Sequence, residues 1–131
     1  MSYDVLVFDP AAVSDADFPA WWVEQATWSE NHSYSDPAVT TPELQAFYAD
    51  IHQQFPNMNG PDAPTDEELD TDPDIEDRLA DYSIGTRLIY MAFPWSRAEQ
   101  AGTAVETTAL RHGVAIAWVS ESITTVPIQR P

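Results

Sequence analysis

The hydrophobic residues of this chain repeat with two different periods, and the order in which those periods follow one another restricts the fold more than any other feature. From Tyr3 to Phe8 the side chains alternate between two faces until Asp9-Pro10 ends the run, which predicts a first strand. The clearest helical spacing lies between Thr41-Pro42, a helix-start signal, and Pro56, and its apolar positions are Leu44, Phe47, Tyr48, Ile51 and Phe55. One segment is therefore suited to a sheet and another to a helix that covers it.

The segments beside these two continue the same alternation. A helix is predicted from Asp15 to Trp28, because its apolar residues recur at helical spacing behind a cluster of acidic and hydroxyl side chains that can cap it. Tyr82 to Phe93 is predicted to form a hairpin that turns at Gly85-Thr86. Its second strand is apolar on both faces and should therefore be central in the sheet.

The last third of the chain predicts one more helix and one more strand. Ser96-Arg97-Ala98-Glu99 has the pattern of a capping box, and Arg111-His112-Gly113 has that of a helix end. Val114 to Val119 is an apolar run typical of a strand, and Ile123 to Ile128 predicts an edge strand that Pro127 interrupts.

This order predicts an α+β fold in a single domain that spans residues 1–131, with three helices covering one face of a four- or five-stranded antiparallel or mixed sheet. The arrangement resembles a ferredoxin-like split βαβ with one added helix. The added helix reverses the chain once more. Either a long acidic loop at about 56–80 carries the chain back across the domain, or the sheet is mixed.

The charge of the chain excludes two classes of partner. It holds 22 acidic residues against five arginines and no lysine, for a formal net charge of −17. Binding to nucleic acid or to anionic lipid needs clustered lysine or arginine, so neither partner is expected. With 44% hydrophobic residues the chain is nevertheless too apolar for a wholly disordered acidic tail.

Two further features of the sequence favour a cytoplasmic protein. The chain has no cysteine, which excludes disulfides and thiolate ligands and fits a reducing compartment. The start Met1-Ser2-Tyr3-Asp4 lacks the positive region of a signal peptide, and no run of 18 apolar residues occurs.

The acidic loop is the first candidate for a partner-binding segment. Residues 56–80 contain four prolines and nine acidic residues, and loops of this length inside a compact domain are usually functional or disordered. One helical turn near Asp66 to Leu69 is possible there. We assign a partner-binding role to six of its acidic residues, which are Asp66, Glu67, Glu68, Asp70, Asp72 and Asp74.

A calcium site in the same segment is not expected. Carboxylates stand at positions 1, 3, 5 and 12 of a loop that would run from Asp70 to Asp81. Position 6, however, is Ile75 instead of glycine, and Pro73 stiffens the turn. We therefore predict no saturable calcium binding at micromolar concentration.

No catalytic motif stands out in the sequence. There is no phosphate-binding or dinucleotide-binding glycine pattern, and the three histidines are too far apart to form a local metal motif. Only His32 lies in a loop rich in hydrogen-bonding groups, and a structural role is favoured for it as well. The chain is therefore not expected to be an enzyme or to hold a metal or cofactor.

Three tryptophans crowd the first helix. Because adjacent positions point about 100° apart, Trp21, Trp22 and Trp28 cannot all face the sheet. We predict that Trp22 is the core ring and that Trp21 and Trp28 belong to an exposed patch rimmed by Glu24 and Glu30. The competing interpretation is that all three rings cover a loose junction between helix and sheet.

Five segments together resemble a group of small acidic bacterial proteins of unassigned function, some of which are similar to immunity proteins encoded near polymorphic toxins. The likeness spans most of the chain, assigns no site residues, and implies a protein-binding role. The segments are Tyr3-Asp4-Val5-Leu6-Val7-Phe8, Glu24-Gln25-Ala26-Thr27-Trp28, Asp36-Pro37-Ala38-Val39-Thr40-Thr41-Pro42, Phe55-Pro56-Asn57-Met58-Asn59-Gly60-Pro61 and Asp81-Tyr82-Ser83-Ile84-Gly85.

Three functional hypotheses follow. The leading one is a cytoplasmic inhibitor, an immunity or antitoxin-like protein that blocks the basic active-site cleft of a toxin. The alternative is a small enzyme or ligand-binding domain with a pocket lined by Trp22, His32, Tyr34 and Tyr90. The third is a protein of salt-loving type whose charge serves solubility alone.

Overall fold

A five-stranded antiparallel sheet organises the chain, with helices on both of its faces. The structure is a computed structural model that describes residues 1–122 and 124–131. The strands are β1 (Ser2–Phe8), β2 (Asp81–Ile84), β3 (Leu88–Pro94), β4 (Ala115–Ala117) and β5 (Ile128–Gln129), and the helices are α1 (Phe18–Gln25), α2 (Pro42–Gln54), α3 (Asp66–Thr71) and α4 (Ala98–His112). The α+β class predicted from the sequence is thereby confirmed.

The strand order is β2-β3-β1-β4-β5, and every neighbouring pair is antiparallel. β1 is central and β3 lies between β1 and β2, as its two apolar faces predicted. Together with α2 and α4, the first four strands form the ferredoxin-like split βαβ arrangement. β5 is a two-residue edge strand, so the predicted strand from Ile123 to Ile128 is found only at its end, and Ile123 itself lies outside the described residues.

The position of α1 corrects the expectation that all helices share one face. One face of β1 packs against α2 and α4 through Tyr3, Val5 and Val7. The other face carries Leu6 and Phe8, which belong to a second hydrophobic cluster. Its other members include Phe18, Trp21, Trp22 and Trp28. That second face is apolar and must be covered, since exposing it would leave Leu6 and Phe8 in water. α1 and its aromatic residues provide the cover.

The added helix requires neither a mixed sheet nor a crossing by the acidic segment. The Oγ1 of Thr40, at the start of α2, donates to the carbonyl of Thr86, and the amide of Asp9, just after β1, donates to the carbonyl of Arg87. The chain therefore leaves β1, forms α1 on the far face, and returns to the same end of the sheet. From there α2 runs back along the near face to the start of β2.

Residues 56–80, called the acidic segment below, begin and end next to each other, and side-chain bonds of Asp62, Asp74 and Arg78 also hold them to the rest of the fold. The amide of Ala80 donates to the carbonyl of Pro56 at 2.9 Å, and the amide of Met58 donates to the carbonyl of Ala80 at 2.9 Å. Between these bonds the segment is not a plain loop, because it holds α3 and a 3-10 helix at Pro73–Arg78. The helical turn considered at Asp66 to Leu69 is part of α3.

Two predicted helix ends differ in the structure. α1 ends at Gln25 and continues as turns to Trp28, whose φ of 51° is left-handed and cannot extend a helix. The capping box at Ser96 and Glu99 does not form, because the chain leaves β3 through a 3-10 turn at Trp95–Arg97 and α4 begins only after Arg97. Gly113 ends α4 with a φ of 68°, as the sequence predicted.

Candidate functional site

All five arginines of the chain lie in ion pairs with its own aspartates. Asp74 receives two of them, so only four aspartates are used. Hydrogen bonds from Arg97 and Arg78 lower the pKa of Asp74, and those from His112 and Arg111 lower the pKa of Asp50. The pairs are Arg78–Asp74 at 2.9 Å, Arg87–Asp9 at 3.0 Å, Arg97–Asp74 at 2.7 Å, Arg111–Asp50 at 3.1 Å and Arg130–Asp15 at 2.6 Å. The surplus of negative charge is thus left to face outward.

The six acidic residues predicted for partner binding divide into two sets in the structure. Glu68 forms a capping box with Thr65, Asp72 accepts the amide of Asp74, and Asp74 holds the two arginines, so these three stabilise the segment itself. The side chains of the other three have no hydrogen-bond partner within the described part of the chain and are exposed on α3. They are Asp66, Glu67 and Asp70.

The tryptophans of the first helix form one aromatic layer instead of a core ring and an exposed patch. Trp21 packs on Phe8 with ring centroids 5.6 Å apart, so it faces the sheet contrary to the prediction. Trp22 stacks on Tyr90 at 5.5 Å, and Trp28 packs edge-on against both of these rings. Each of the three tryptophans is half-buried. The second cluster is therefore continuous, and part of each ring remains open to a partner.

Glu24 and Glu30, the predicted acidic rim of that patch, have different environments. Glu24 is exposed. Glu30 accepts the amide of Thr86 at 3.0 Å and lies 2.5 Å from the Nε2 of His32, and so ties the loop after α1 to the β2–β3 turn. Burial alone would raise the pKa of Glu30, but the hydrogen bonds from His32 and Thr86 lower it. Glu30 therefore has a structural role. Its bonds to His32 and Thr86, called the clasp below, link the loop after α1 to the β2–β3 turn.

This clasp predicts a pH-dependent stability. Hydrogen bonds with the Ser33 carbonyl and with Glu30 raise the pKa of His32 above its usual 6.5, so its contribution is present below pH 6.5 and lost as the pH rises through the folded value. The Glu30 contribution is present above about pH 4.5 and lost as the pH falls through its lowered value. We expect up to about 1 kcal/mol of the free energy of unfolding to be lost as the pH rises above 6.5.

Urea unfolding at a series of pH values measures this loss. The variant His32→Gln should remove that part of the pH dependence. The matched control His52→Gln should keep it, because among the described residues His52 bonds to the Tyr48 carbonyl and to no carboxylate. A His32→Gln variant with the same pH profile as the unmodified chain would contradict the clasp.

The pocket predicted for the alternative function is filled by its own residues. Trp22, Tyr34 and Tyr90 pack around Trp28, and the ring of His32 lies 4.9 Å from that of Tyr34. The open space lies outside this cluster, in a cavity of about 380 Å³ lined by Glu24, Gln25, Ser29, Glu30, Asn31, His32, Thr86 and Arg87.

A second cavity lies on the other side of the sheet, where the sequence indicated no site. It has a volume of about 380 Å³ and combines acidic with aromatic walls, formed by Tyr3, Glu99, Gly102, Glu106, Trp118 and Glu121 with Ala98 and Thr103. Trp95 stands beside Tyr3 with ring centroids 6.0 Å apart and is 52% exposed, the most exposed tryptophan among the described residues. This group is called the α4 cavity below.

The α4 cavity escaped sequence reasoning because its walls come from three separate segments. Tyr3 belongs to β1, Glu99, Gly102 and Glu106 to α4, and Trp118 and Glu121 to the chain after β4. The one local signal was Trp95, a large apolar residue between Pro94 and Ser96 that no helical or strand period uses.

A third cavity, of about 630 Å³, is an open groove along α2 and α4. Arg97 and Arg111 stand in its walls, but Asp74 and Asp50 already neutralise both. The other walls are amides, hydroxyls and one glutamate, which favour no particular ligand. The residues are Gln54, Ser96, Arg97, Glu99, Gln100, Thr103, Ala104, Thr107, Thr108 and Arg111.

The described residues hold neither a cluster that could bind a metal ion nor a membrane-crossing helix. Within residues 1–122 and 124–131, no three His, Asp or Glu side chains come together in a way that could hold a metal ion, and this includes the aspartates from Asp70 to Asp81. No helix in those residues is long and apolar enough to cross a membrane. In comparisons with known proteins, no family model, no curated protein and no solved structure matches the chain.

Proposed function

We propose that this chain is a cytoplasmic protein-binding inhibitor of the immunity or antitoxin type, which blocks the basic active-site cleft of a toxin. The observation that supports this most is the disposition of charge. All five arginines are engaged by four aspartates, while acidic side chains stand exposed on the acidic segment and around the α4 cavity. A surface of this kind complements a cleft that binds phosphate groups.

Inhibition would proceed by occlusion. A toxin that cleaves nucleic acid or a nucleotide needs lysine and arginine in its cleft, and carboxylates can take the places that phosphates occupy there. Long-range attraction would accelerate the encounter, and half-buried rings such as Trp28 would then slow dissociation by contributing apolar contact.

The alternative, a small enzyme or ligand-binding domain, is supported by one local feature. His32 and Glu30 lie 2.5 Å apart in the wall of a cavity, which is the arrangement of a histidine held by a carboxylate for proton transfer. Against it, the same carboxylate oxygen also holds the Thr86 amide, as expected of a structural contact.

Co-expression with the product of the gene directly upstream tests the proposal. If that product is a toxin, we expect it to arrest growth alone, and we expect this chain to relieve the arrest. The purified complex should weaken by about tenfold between 50 and 500 mM salt, since screening reduces the attraction of exposed charges. An upstream product that is not toxic, or whose toxicity this chain leaves unchanged, would contradict the proposal.

A further inference from the structure

The α4 cavity is an open surface depression in which negative charge lies beside aromatic surface. Three glutamates stand in its walls, and none of the five arginines or three histidines does. The hydroxyl of Tyr3 donates to Oε1 of Glu121 at 2.7 Å, which fixes that carboxylate, and no hydrogen bond to Oε2 comes from the described residues. The indole of Trp118 is held from behind by a hydrogen bond to Gln129 at 3.2 Å.

Gly102 keeps the floor of this cavity open although the fold does not require a glycine there. It lies in the interior of α4, where glycine disfavours the helix relative to alanine. A Cβ built on it would lie 3.6 Å from the Tyr3 hydroxyl and 3.9 Å from the Trp118 ring, which are ordinary contact distances. An alanine would therefore fit, and it would fill the space between the two aromatic residues.

We propose that the α4 cavity binds an arginine side chain of a basic protein partner. This inference rests on the proposed function and assigns one of its contact points. The exposed ring of Trp95 lies next to the cavity and extends the apolar surface on which the partner would rest. The partner's chemistry follows from the walls, in which the side-chain polar groups are mainly carboxylates and hydroxyls and the rest is aromatic surface with two small residues.

Arginine fits these walls better than the other cations. Its guanidinium is planar, stacks on aromatic rings, and donates to carboxylates in two directions at once, whereas the lysine ammonium is a strongly hydrated point charge. A metal ion does not fit, because no three acidic or histidine side chains of the described residues converge closely enough to hold one.

The test uses N-acetyl-L-arginine amide as the probe, and its readout is the NMR signal of the Trp118 indole N–H, assigned with the variant Trp118→Phe. We expect a saturable shift with a dissociation constant on the order of millimolar, as for other small fragments. The uncharged analogue N-acetyl-L-citrulline amide should produce no saturable shift. If the citrulline or the corresponding lysine probe binds as tightly, the assignment to arginine is overturned.

Matched variants separate the cavity from the general charge of the protein. Glu106→Gln, in the cavity wall, should weaken probe binding by about fivefold, whereas Glu67→Gln, which removes the same charge from α3, should change it by less than about twofold. Equal effects of the two variants would mean diffuse attraction, and would refute the site.

Substitutions at Gly102, which fill the cavity, provide a second test. Gly102→Ala should raise the melting temperature by about 3 °C and weaken the probe, because alanine favours the helix and occupies the floor. Gly102→Leu should abolish binding, and a Gly102→Leu variant that folds and binds normally would overturn the site. Because the probe needs no partner, failure here leaves toxin neutralisation untouched, and failed neutralisation with intact probe binding counts against the proposed function alone.

Discussion

Neutralising the exposed carboxylates of the acidic segment should slow association with the basic partner by about tenfold or more at low salt. The segment carries five acidic side chains without a hydrogen-bond partner among the described residues, so their replacement by Asn or Gln breaks no contact. They are Asp66, Glu67, Asp70, Glu76 and Asp77. Thermal stability should stay equal or rise, since like charges repel one another. Stopped-flow association with the upstream gene product at 20 mM salt measures the effect.

Position is separated from total charge by two double variants. Glu67→Gln with Asp70→Asn changes the segment, whereas Asp17→Asn with Glu43→Gln removes two exposed charges near the N-termini of α1 and α2. The first should slow association clearly more than the second. Equal association rates for the two double variants would exclude a steering role for the segment. An unchanged rate at low salt for the variant with all five carboxylates replaced would exclude it as well.

Truncating Trp21 to alanine should cost about 3 kcal/mol of the free energy of unfolding, as much as truncating Trp22. Trp21 packs on Phe8, which is fully buried, and on Phe18 with ring centroids 5.9 Å apart. Trp22 stacks on Tyr90 of β3. Each change removes a half-buried ring from the second cluster and leaves a cavity that the neighbouring side chains of the short helix α1 do not fill.

Urea melts of Trp21→Ala, Trp22→Ala and Val23→Ala decide this point. Val23 lies on the same helix but is 71% exposed, so its truncation should change stability by no more than about 0.5 kcal/mol. If Trp21→Ala costs less than about 1 kcal/mol while Trp22→Ala costs about 3, the sequence-based assignment of faces holds and Trp21 is free to serve a partner.

The elements that could be predicted from the sequence are those whose signals are local. The signals that start α2 lie next to one another in the sequence. The Thr41 hydroxyl accepts a hydrogen bond from the amide of Leu44, and Pro42 occupies the first helical position. The central place of β3 likewise follows from the apolar residues on both of its faces. In each case one stretch of chain contains both the pattern and its cause.

The features that could not be predicted depend on partners distant in sequence. The predicted orientation of α1 was wrong because α1 is apolar on more than one side. Contact with Phe8, from β1, decides which tryptophan faces the sheet. The predicted capping box at Ser96 and Glu99 does not form, because the chain leaves β3 through a 3-10 turn and Arg97 bonds to Asp74. These two features set the start of α4. The α4 cavity is assembled from three segments, and no local sequence pattern brings its walls together.

The backbone bonds of Pro56 and Met58 to Ala80 close the base of the acidic segment. Further bonds hold it to the rest of the fold, including those from Tyr48 to Asp62, from Arg78 to the Gln54 carbonyl and from Arg97 to Asp74. Between these anchors, exposed carboxylates such as Glu67 and Asp70 can change at little energetic cost to the scaffold, because their side chains make no hydrogen bond within the described part of the chain. The protein is thereby divided into a part that must be preserved to fold and a part that can diversify. A lineage facing changing adversaries could replace the second without rebuilding the first.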